Sequence, residues 1–480
     1  MMDNKTNNKI VTRFAPSPTG FMHVGNLRTA LYAYLWAKRN NGTFILRIED
    51  TDKEREVDGS IEHIIKSLKW LGINWDEGPD IGGPNAPYKQ SERLELYKKY
   101  AQILINKGLA YADPYTEEEV EAFRKKADQD KKPFLYREYR PINPPQWDGS
   151  KPLRYKIPEI KSYQWTDIVY GDLSAGPEAL DDFILIKSDG YPTYNFAHVI
   201  DDLEMSVTHV MRGQEFISSV PKYLSLYDGL DLKYPHFATL PPIMGKDGNK
   251  KLGKRDGAKD VLDYPKDGYL PEAMMNFLAF LGWNPGGEKE IFTKEELISI
   301  FDITRIGHSG AQWNDEKLDW VNKEHIKRLS RDELEKYIFE WLPNELKIKK
   351  IIPIIVERIS KFGDIEQMVN NGELDFFYKK PEYQKEKLIY KDTVASKILE
   401  NLIEVVETLK MTEEQEYTKE NIKIILLELA EKLENRGQIL HPVRFALSGL
   451  DKSPDPFILA EILGKKETID RLNIAINLLK

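Results

Sequence analysis

Ile10-Val11-Thr12-Arg13-Phe14-Ala15-Pro16-Ser17-Pro18-Thr19-Gly20-Phe21-Met22-His23-Val24-Gly25-Asn26 is the stretch on which the fold turns. Its first five residues are β-prone. The prolines after them fix φ and remove donors, so neither a strand nor a long helix runs through Ala15 to Gly20. From Asn26 the apolar positions Leu27, Ala30, Leu31, Tyr34 and Leu35 recur at helical spacing until Asn40, Asn41 and Gly42 stop them. A second strand is expected over Thr43 to Glu49, with Phe44, Leu46 and Ile48 on one face and Ile45, Arg47 and Glu49 on the other. Ser60 is then expected to cap a helix whose stripe Ile61, Ile64, Ile65, Leu68 and Leu71 is ended by Gly72. Strand, helix, strand, helix is the opening of a parallel α/β sheet.

Beyond it, a charged helix is expected from Glu117 to Asp130, then turns at Pro141, Pro144 and Pro145. The β-prone runs Leu153 to Ile157 and Phe183 to Ile186 flank this irregular middle, which reads as an insertion between two halves of one sheet. From about Glu324 amphipathic segments dominate, among them Asn421 to Leu433 with Ile422, Ile425, Leu426 and Leu429 in register, so a separate all-helical module is expected.

The 480 residues leave room for two to four domains, and 41% hydrophobic with 31% charged residues describe an ordinary globular chain. No stretch approaches the roughly 20 apolar residues of a membrane span. Met1 to Lys9 lacks an apolar signal core, so a cytoplasmic location is expected. The absence of cysteine excludes disulfides and thiolate ligands, and the eight histidines include no close pair, so structural zinc is not expected. A net charge of −9 opposes generic nucleic-acid binding, yet 69 Lys and Arg suffice for a local basic face.

His23-Val24-Gly25-Asn26 stands between the first strand and the first helix, where backbone N–H groups and the helix dipole favour an anion such as a nucleotide phosphate. The tripeptide alone carries nothing, because His308-Ser309-Gly310 repeats it. Lys251-Leu252-Gly253-Lys254-Arg255 lies in a loop with Gly245, Lys246, Gly248, Lys250 and Gly257, and glycines with clustered ammonium groups suit a clamp on a triphosphate.

The string Arg13 to Asn26, with Arg47-Ile48-Glu49-Asp50-Thr51-Asp52 and the KLGKR loop, closely resembles the ATP-site signatures of bacterial-type glutamyl-tRNA synthetases of class I. Gly190 to His198 and His209 to Gly213 resemble that family's glutamate-pocket segments. Trp313, Lys317, Leu318, Trp320 and Asn322 resemble its bridge, and Pro442 to Gly449 its C-terminal signature. The resemblance implies an α/β, Rossmann-like parallel-sheet catalytic domain with an α+β insertion, followed by an all-α anticodon-binding region. Its two catalytic halves would be residues 1–110 and 191–240, around an acceptor-end insertion at 111–190. A stem-contact region at 241–323 and an anticodon-binding region at 324–480 would follow.

By the same resemblance, ATP with Mg²⁺ activates L-glutamate, and the adenylate passes it to tRNA-Glu. His23, Lys251 and Lys254 are implied as catalytic, and Arg13, Ala15, Ser17, Glu49, Tyr194 and Arg212 as glutamate-binding. Thr19, Gly20, His23, Gly25, Asn26, Glu215, Lys251, Leu252 and Lys254 are implied for ATP, and Asp52, Arg55 and Arg358 for tRNA. An acid for the ammonium and at least one bidentate base for the carboxylates are what glutamate requires. A monomer without zinc or membrane is expected. The chain departs from the family in lacking the cysteines that ligate zinc in many relatives after the segment matched by Tyr111 to Tyr115, so ordinary packing is expected to hold the insertion. It also departs in carrying Gly253 where serine is common, which widens the loop's conformational range. His198 has no assigned role. A truncated paralogue, a catalytically dead tRNA-binding paralogue and a glutaminyl enzyme are the competing readings; the helical C-terminal half opposes the first and last, and His23, Lys251 and Lys254 the second. Charging of tRNA-Gln as well as tRNA-Glu stays open.

Overall fold

The computed structural model describes residues 9–253, 259–432 and 435–480. Two compact units divide the chain, one of residues 1–265 with 271–321 and one of 266–270 with 322–480.

In the first unit β1 (Val11–Phe14) leads to α1 (Val24–Arg39) and β2 (Thr43–Leu46), and β1 and β2 pair in parallel from Val11 opposite Thr43 to Phe14 opposite Leu46. α1 begins at Val24, two residues before the apolar repeat announces it, because His23 caps it. β2 stops at Leu46, though the Arg47 N–H still donates to Phe14 O at 3.0 Å. The two faces of this strand do not separate into core and solvent. Phe44, Ile45, Leu46, Arg47, Ile48 and Glu49 are all buried, as both-sided coverage of a parallel strand requires.

α2 (Ser60–Trp70) corrects the expected cap: Gly59, at φ 72°, is the N-cap and makes no side-chain bond, while Ser60 is the first helical residue and its hydroxyl donates to Gly20 O at 3.0 Å. The expected stripe is also turned. His63 and Ser67 are buried beside Ile64 and Leu68, whereas Ile61 and Ile65 are only half-buried. Gly72, at φ 74°, ends the helix in the left-handed conformation that glycine takes without strain.

After α3 (Leu94–Asn106), the middle region builds β3 (Ala110–Ala112), α4 (Glu117–Gln129), β4 (Leu153–Tyr155), β5 (Tyr163–Asp167), β6 (Gly171–Ala175) and β7 (Phe183–Ile186). β3, β4 and β7 form their own antiparallel sheet. β5 and β6 do not stay in the insertion but extend the main sheet, which runs β2-β1-β8-β9-β5-β6. α5 (Tyr194–Glu204), β8 (His209–Gly213), α6 (Val220–Gly229) and β9 (His236–Leu240) complete it, and only the edge strand β6 is antiparallel. A core of Tyr97, Leu104, Tyr155, Phe196 and Tyr223 backs the sheet. The chain goes on through β10 (Ile243–Met244), α7 (Asp263–Lys266), α8 (Pro271–Phe280), α9 (Lys294–Ile300), β11 (Ala311–Gln312) and α10 (Asp315–Ile326).

The second unit is helical: α11 (Arg331–Trp341), α12 (Ile352–Arg358), α13 (Asp364–Asn370), α14 (Ala395–Met411), α15 (Lys419–Lys432), α16 (Gly437–Ser448) and α17 (Pro456–Leu479). α15 buries Ile422, Leu426 and Leu429; Leu433 lies outside the described residues. The buried Arg471 donates to Phe376 O at 2.7 Å and Leu447 O at 2.6 Å, tying the last helix to the segments before it.

Candidate active site

β1 lies between β2, reached through α1, and β8, which opens the second half of the sheet, so the strand order reverses at β1 and leaves a crevice at the carboxyl ends of β1 and β8. A cavity of about 330 Å³ occupies it. Arg13, Ala15, Ser17, Thr19, His23, Gly25, Asn26, Glu49, Tyr194, Arg212, Glu215 and Lys251 all line it, bringing together twelve of the residues that the sequence singled out. Gly20 and Leu252 stand behind the lining: Gly20 O accepts from Ser60, and the Leu252 N–H donates to Ile243 O at 2.8 Å, closing the hairpin that presents Lys251. Lys254 lies outside the described residues. Asp52 and Arg55 pair with each other at 2.5 Å on an exposed turn off the cavity, and Arg358 pairs with Glu373 in the second unit.

The start of α1 is built by its own side chains. His23 Nδ1 accepts the Gly25 N–H at 3.1 Å, and Asn26 Oδ1 accepts the His23 N–H at 3.5 Å. A Cβ on Gly25 would stand 2.9 Å from the His23 ring, so glycine is required for the imidazole to fold back as a cap. With Nδ1 accepting, the proton of the neutral ring sits on Nε2, the donor that a phosphate oxygen needs. The helix dipole adds its field at the same place.

Beneath the cavity lies a balanced set of buried charges. Asp202 takes Arg13 Nε at 3.0 Å and Arg47 Nη1 at 2.7 Å; Arg47 Nη2 also reaches Glu49 at 2.9 Å; and Arg93 Nε pairs with Asp201 at 2.8 Å. Burial works to raise the Asp202 pKa, but Arg13 and Arg47 outweigh it and hold the carboxyl well below the usual range. Burial pushes the Glu49 carboxyl up against the pull of Arg47 and Arg13. Three guanidiniums, Arg13, Arg47 and Arg93, thus face three carboxylates, Glu49, Asp201 and Asp202. Arg13 and Glu49 do not pair with each other: Arg13 meets Asp202, and Glu49 meets Arg47.

Arg212, 6% exposed, lines the cavity and has no carboxylate within ion-pair distance among the described residues; the buried Arg28 in the same lining lacks one too, but its guanidinium donates to the Leu281 and Pro241 carbonyls. Its Nη2 is buried with no hydrogen-bond partner. Nη1 meets His198 Nε2 at 3.4 Å, and the guanidinium lies 4.7 Å from the Tyr223 ring and 5.4 Å from Phe216. His198 Nδ1 donates to Tyr194 O at 2.7 Å, which leaves Nε2 a lone pair for Arg212. Burial, then the Arg212 charge, lowers the His198 pKa to about 3, so the ring is neutral at physiological pH. Burial raises the Tyr194 hydroxyl, and that ring lies flat on His198 at 4.7 Å.

Sequence reasoning assigned Arg13 and Glu49 of this layer to glutamate and left Arg47, Arg93, Asp201 and Asp202 without a role. The signal was there in Arg47, inside the quoted R-I-E-D string, and in Asp201-Asp202, two acids amid the apolar residues of α5.

The crevice at the strand-order reversal, the histidine-capped start of α1 and the hairpin that carries Lys251 lie within residues 9–320, which match the family described as tRNA synthetases class I (E and Q), catalytic domain. An anticodon binding domain family matches residues 330–476. The chain is 45% identical to a glutamate–tRNA ligase of Clostridium botulinum, over 98% of this chain and 99% of that one. It is 43% identical to one of Clostridium kluyveri, over 98% of each. A crystal structure of a glutamate tRNA ligase from Elizabethkingia meningosepticum in complex with its amino acid superposes with TM-score 0.86 at 37% identity, covering 98% of this chain and all of that one. The chain belongs to the glutamate–tRNA ligase family.

Proposed function

We propose that this site joins L-glutamate to ATP as glutamyl-adenylate and that the glutamyl group then passes to the 3′-terminal adenosine of tRNA-Glu. In the first step an α-carboxylate oxygen attacks the α-phosphorus and the bond to pyrophosphate breaks. In the second a ribose hydroxyl attacks the acyl carbon, loses its proton, and AMP leaves. No enzyme nucleophile is needed, so the residues act by positioning and by charge.

The observation that carries the reading is the unpartnered Nη2 of Arg212, a buried cation facing a cavity with no carboxylate of its own. A substrate carboxylate supplies the missing charge. Glu49 meets the substrate ammonium, and Arg13, Ser17 and Tyr194 complete the pocket. Ala15 lets the backbone approach. Thr19, Gly20, Gly25, Asn26, Glu215 and Leu252 shape the nucleotide site, while His23, Lys251 and Lys254 carry the phosphates.

Mg²⁺ would be held mainly by the triphosphate and water rather than by a protein cage, since it keeps several waters and binds through few carboxylates. Among the described residues no group of three His, Asp or Glu converges to cage a metal, and Glu215 is the lining carboxylate outside the buried network. When bound, the ion offsets the charge that grows on pyrophosphate. Residues 111–190 receive the acceptor end with Asp52 and Arg55 beside it, and residues 324–480 read the anticodon arm, Arg358 among them. The enzyme works as a cytoplasmic monomer without zinc; none of the described helices is long and apolar enough to cross a membrane.

Glutamate-dependent pyrophosphate exchange in the presence of tRNA tests the chemistry, and charging of purified tRNA-Glu and tRNA-Gln separately tests the partner. Exchange supported by glutamate and not by glutamine is expected. Equal exchange with glutamine, or none with glutamate, overturns the reading.

A further inference from the structure

Behind the phosphate end of the cavity, α2 sends His63 between two segments that the sequence keeps far apart. Asp260, shortly after the second signature, forms an isolated antiparallel bridge with His23 of the first, and the Val261 N–H donates to Met22 O at 3.2 Å. His63 ties both. Its Nδ1 accepts the Met22 N–H at 3.3 Å, and its Nε2 lies 2.8 Å from Asp260 Oδ1, which also accepts the Leu262 N–H at 2.8 Å. One neutral tautomer serves both contacts: a lone pair on Nδ1 for the amide and a proton on Nε2 for the carboxylate. Phe21 stacks on the ring at 4.6 Å and 19°, and the histidine is 9% exposed.

An apolar side chain at position 63 would pack against Phe21 equally well, but it would strip partners from the Met22 amide and from Asp260. We propose that His63 and Asp260 form a clasp that fixes the first signature against the chain following the second, making His63 a positioning residue for ATP activation. This deepens the reading of His23 given above and depends on it. The clasp touches Met22 and the backbone beside His23, so its loosening shifts the imidazole that meets the phosphates. The glutamate pocket is held separately, by Arg47, Asp202 and the strands β2 and β8, and is left in place.

The test is steady-state exchange in the full-length enzyme with His63→Ala, Asp260→Ala, Asp260→Asn and the double alanine variant. His63→Ala and Asp260→Ala are expected to raise the ATP KM about ten-fold while the glutamate KM stays within two-fold. Asp260→Asn keeps an acceptor oxygen and is expected to restore most of the wild-type value, and the double variant to be no worse than either single one. An ATP KM within two-fold of wild type in folded His63→Ala, an equal rise in both KM values, or multiplying effects in the double variant would each overturn the clasp. Wild-type enzyme without glutamate-dependent exchange would instead overturn the underlying function.

Discussion

Arg212 carries the sharpest consequence at the scale of single residues. Its charge is left over once Arg13, Arg47 and Arg93 have met Glu49, Asp201 and Asp202, and, unlike the buried Arg28, whose Nη1 and Nη2 both donate to backbone carbonyls, it keeps an Nη2 without a partner. Arg212→Ala deprives a desolvated substrate carboxylate of its partner, which costs about 2–5 kcal/mol of productive binding. Glutamate kcat/KM should fall by roughly one and a half to three and a half orders of magnitude, since each 1.4 kcal/mol is about tenfold, while the ATP KM holds within two-fold. Arg212→Lys keeps the charge but not the fork, and should fall between the two. Glutamate kinetics near wild type in the alanine variant would remove Arg212 from the pocket. His198 belongs to the same arrangement, because a neutral imidazole can accept from Arg212 where an imidazolium would repel it. Nothing in the spacing of residues 194–198 announces that contact; it exists only once the chain folds to bring His198 of α5 to Arg212 of β8.

Elements show where the sequence could be read and where it could not. β1, α1 and β2 follow from local rules, since β-prone runs, proline and glycine act within a few residues. The hidden face of α2 did not follow. Apolar spacing assigns Ile61 and Ile65 to the stripe, but His63 and Ser67 are buried, because hydrogen bonds to Met22 and Asp260 outweigh the apolar preference. The insertion is the other case: packing alone is the expectation for it, yet two buried charge clusters run through it. Asp113 accepts Arg154 Nη2 at 2.7 Å and the Tyr136 hydroxyl at 2.5 Å, while Asp182 takes Arg140 Nη2 at 2.6 Å and the Tyr111 hydroxyl at 3.0 Å. The Arg154 guanidinium lies 3.4 Å from the Tyr136 ring centre. Partners 41 and 23 residues apart leave no local pattern to detect. Asp113→Ala strands Arg154 in the interior and should cost about 3–5 kcal/mol, seen as a lower thermal midpoint and faster proteolysis between α4 and β4. Asp113→Asn, which keeps an acceptor for Tyr136, should cost less. If the alanine variant melts with wild type, the cluster is not what holds the insertion. Elemental analysis of the wild type should find no stoichiometric zinc, and zinc at one per chain would return the insertion to metal chemistry.

Across the whole molecule, buried titrating groups couple stability to pH, and those in the first unit act in opposite directions. His209 of β8 lies between β1 and β9, 7% exposed, with Trp36 at 5.9 Å and His236 at 4.9 Å. Burial, then His236, lowers its pKa to about 4, against about 6.5 in an unfolded chain. Between those two values the unfolded state binds the proton and the folded state does not, so the folded state loses stability as pH falls through about 6.5 and regains it as pH rises. From pH 7 to pH 5 the loss from this one group is about 1–2 kcal/mol. Glu49 and Asp201, whose carboxyls burial pushes up, run the other way, favouring the folded state as pH falls. Asp202, held low by Arg13 and Arg47, loses its contribution as pH falls through and below the ordinary carboxylate range, mostly beneath this window. A change in total stability between two pH values therefore mixes signs, and the informative quantity is the difference between wild type and a variant that cannot titrate. His209→Phe fills the same aromatic space beside Trp36 without a proton to bind. In urea unfolding followed by tryptophan emission, its stability relative to wild type should be about 1–2 kcal/mol more favourable at pH 5 than at pH 7. An unchanged difference at the two pH values would mean that His209 is protonated inside the folded sheet, and the buried neutral imidazole would have to be abandoned.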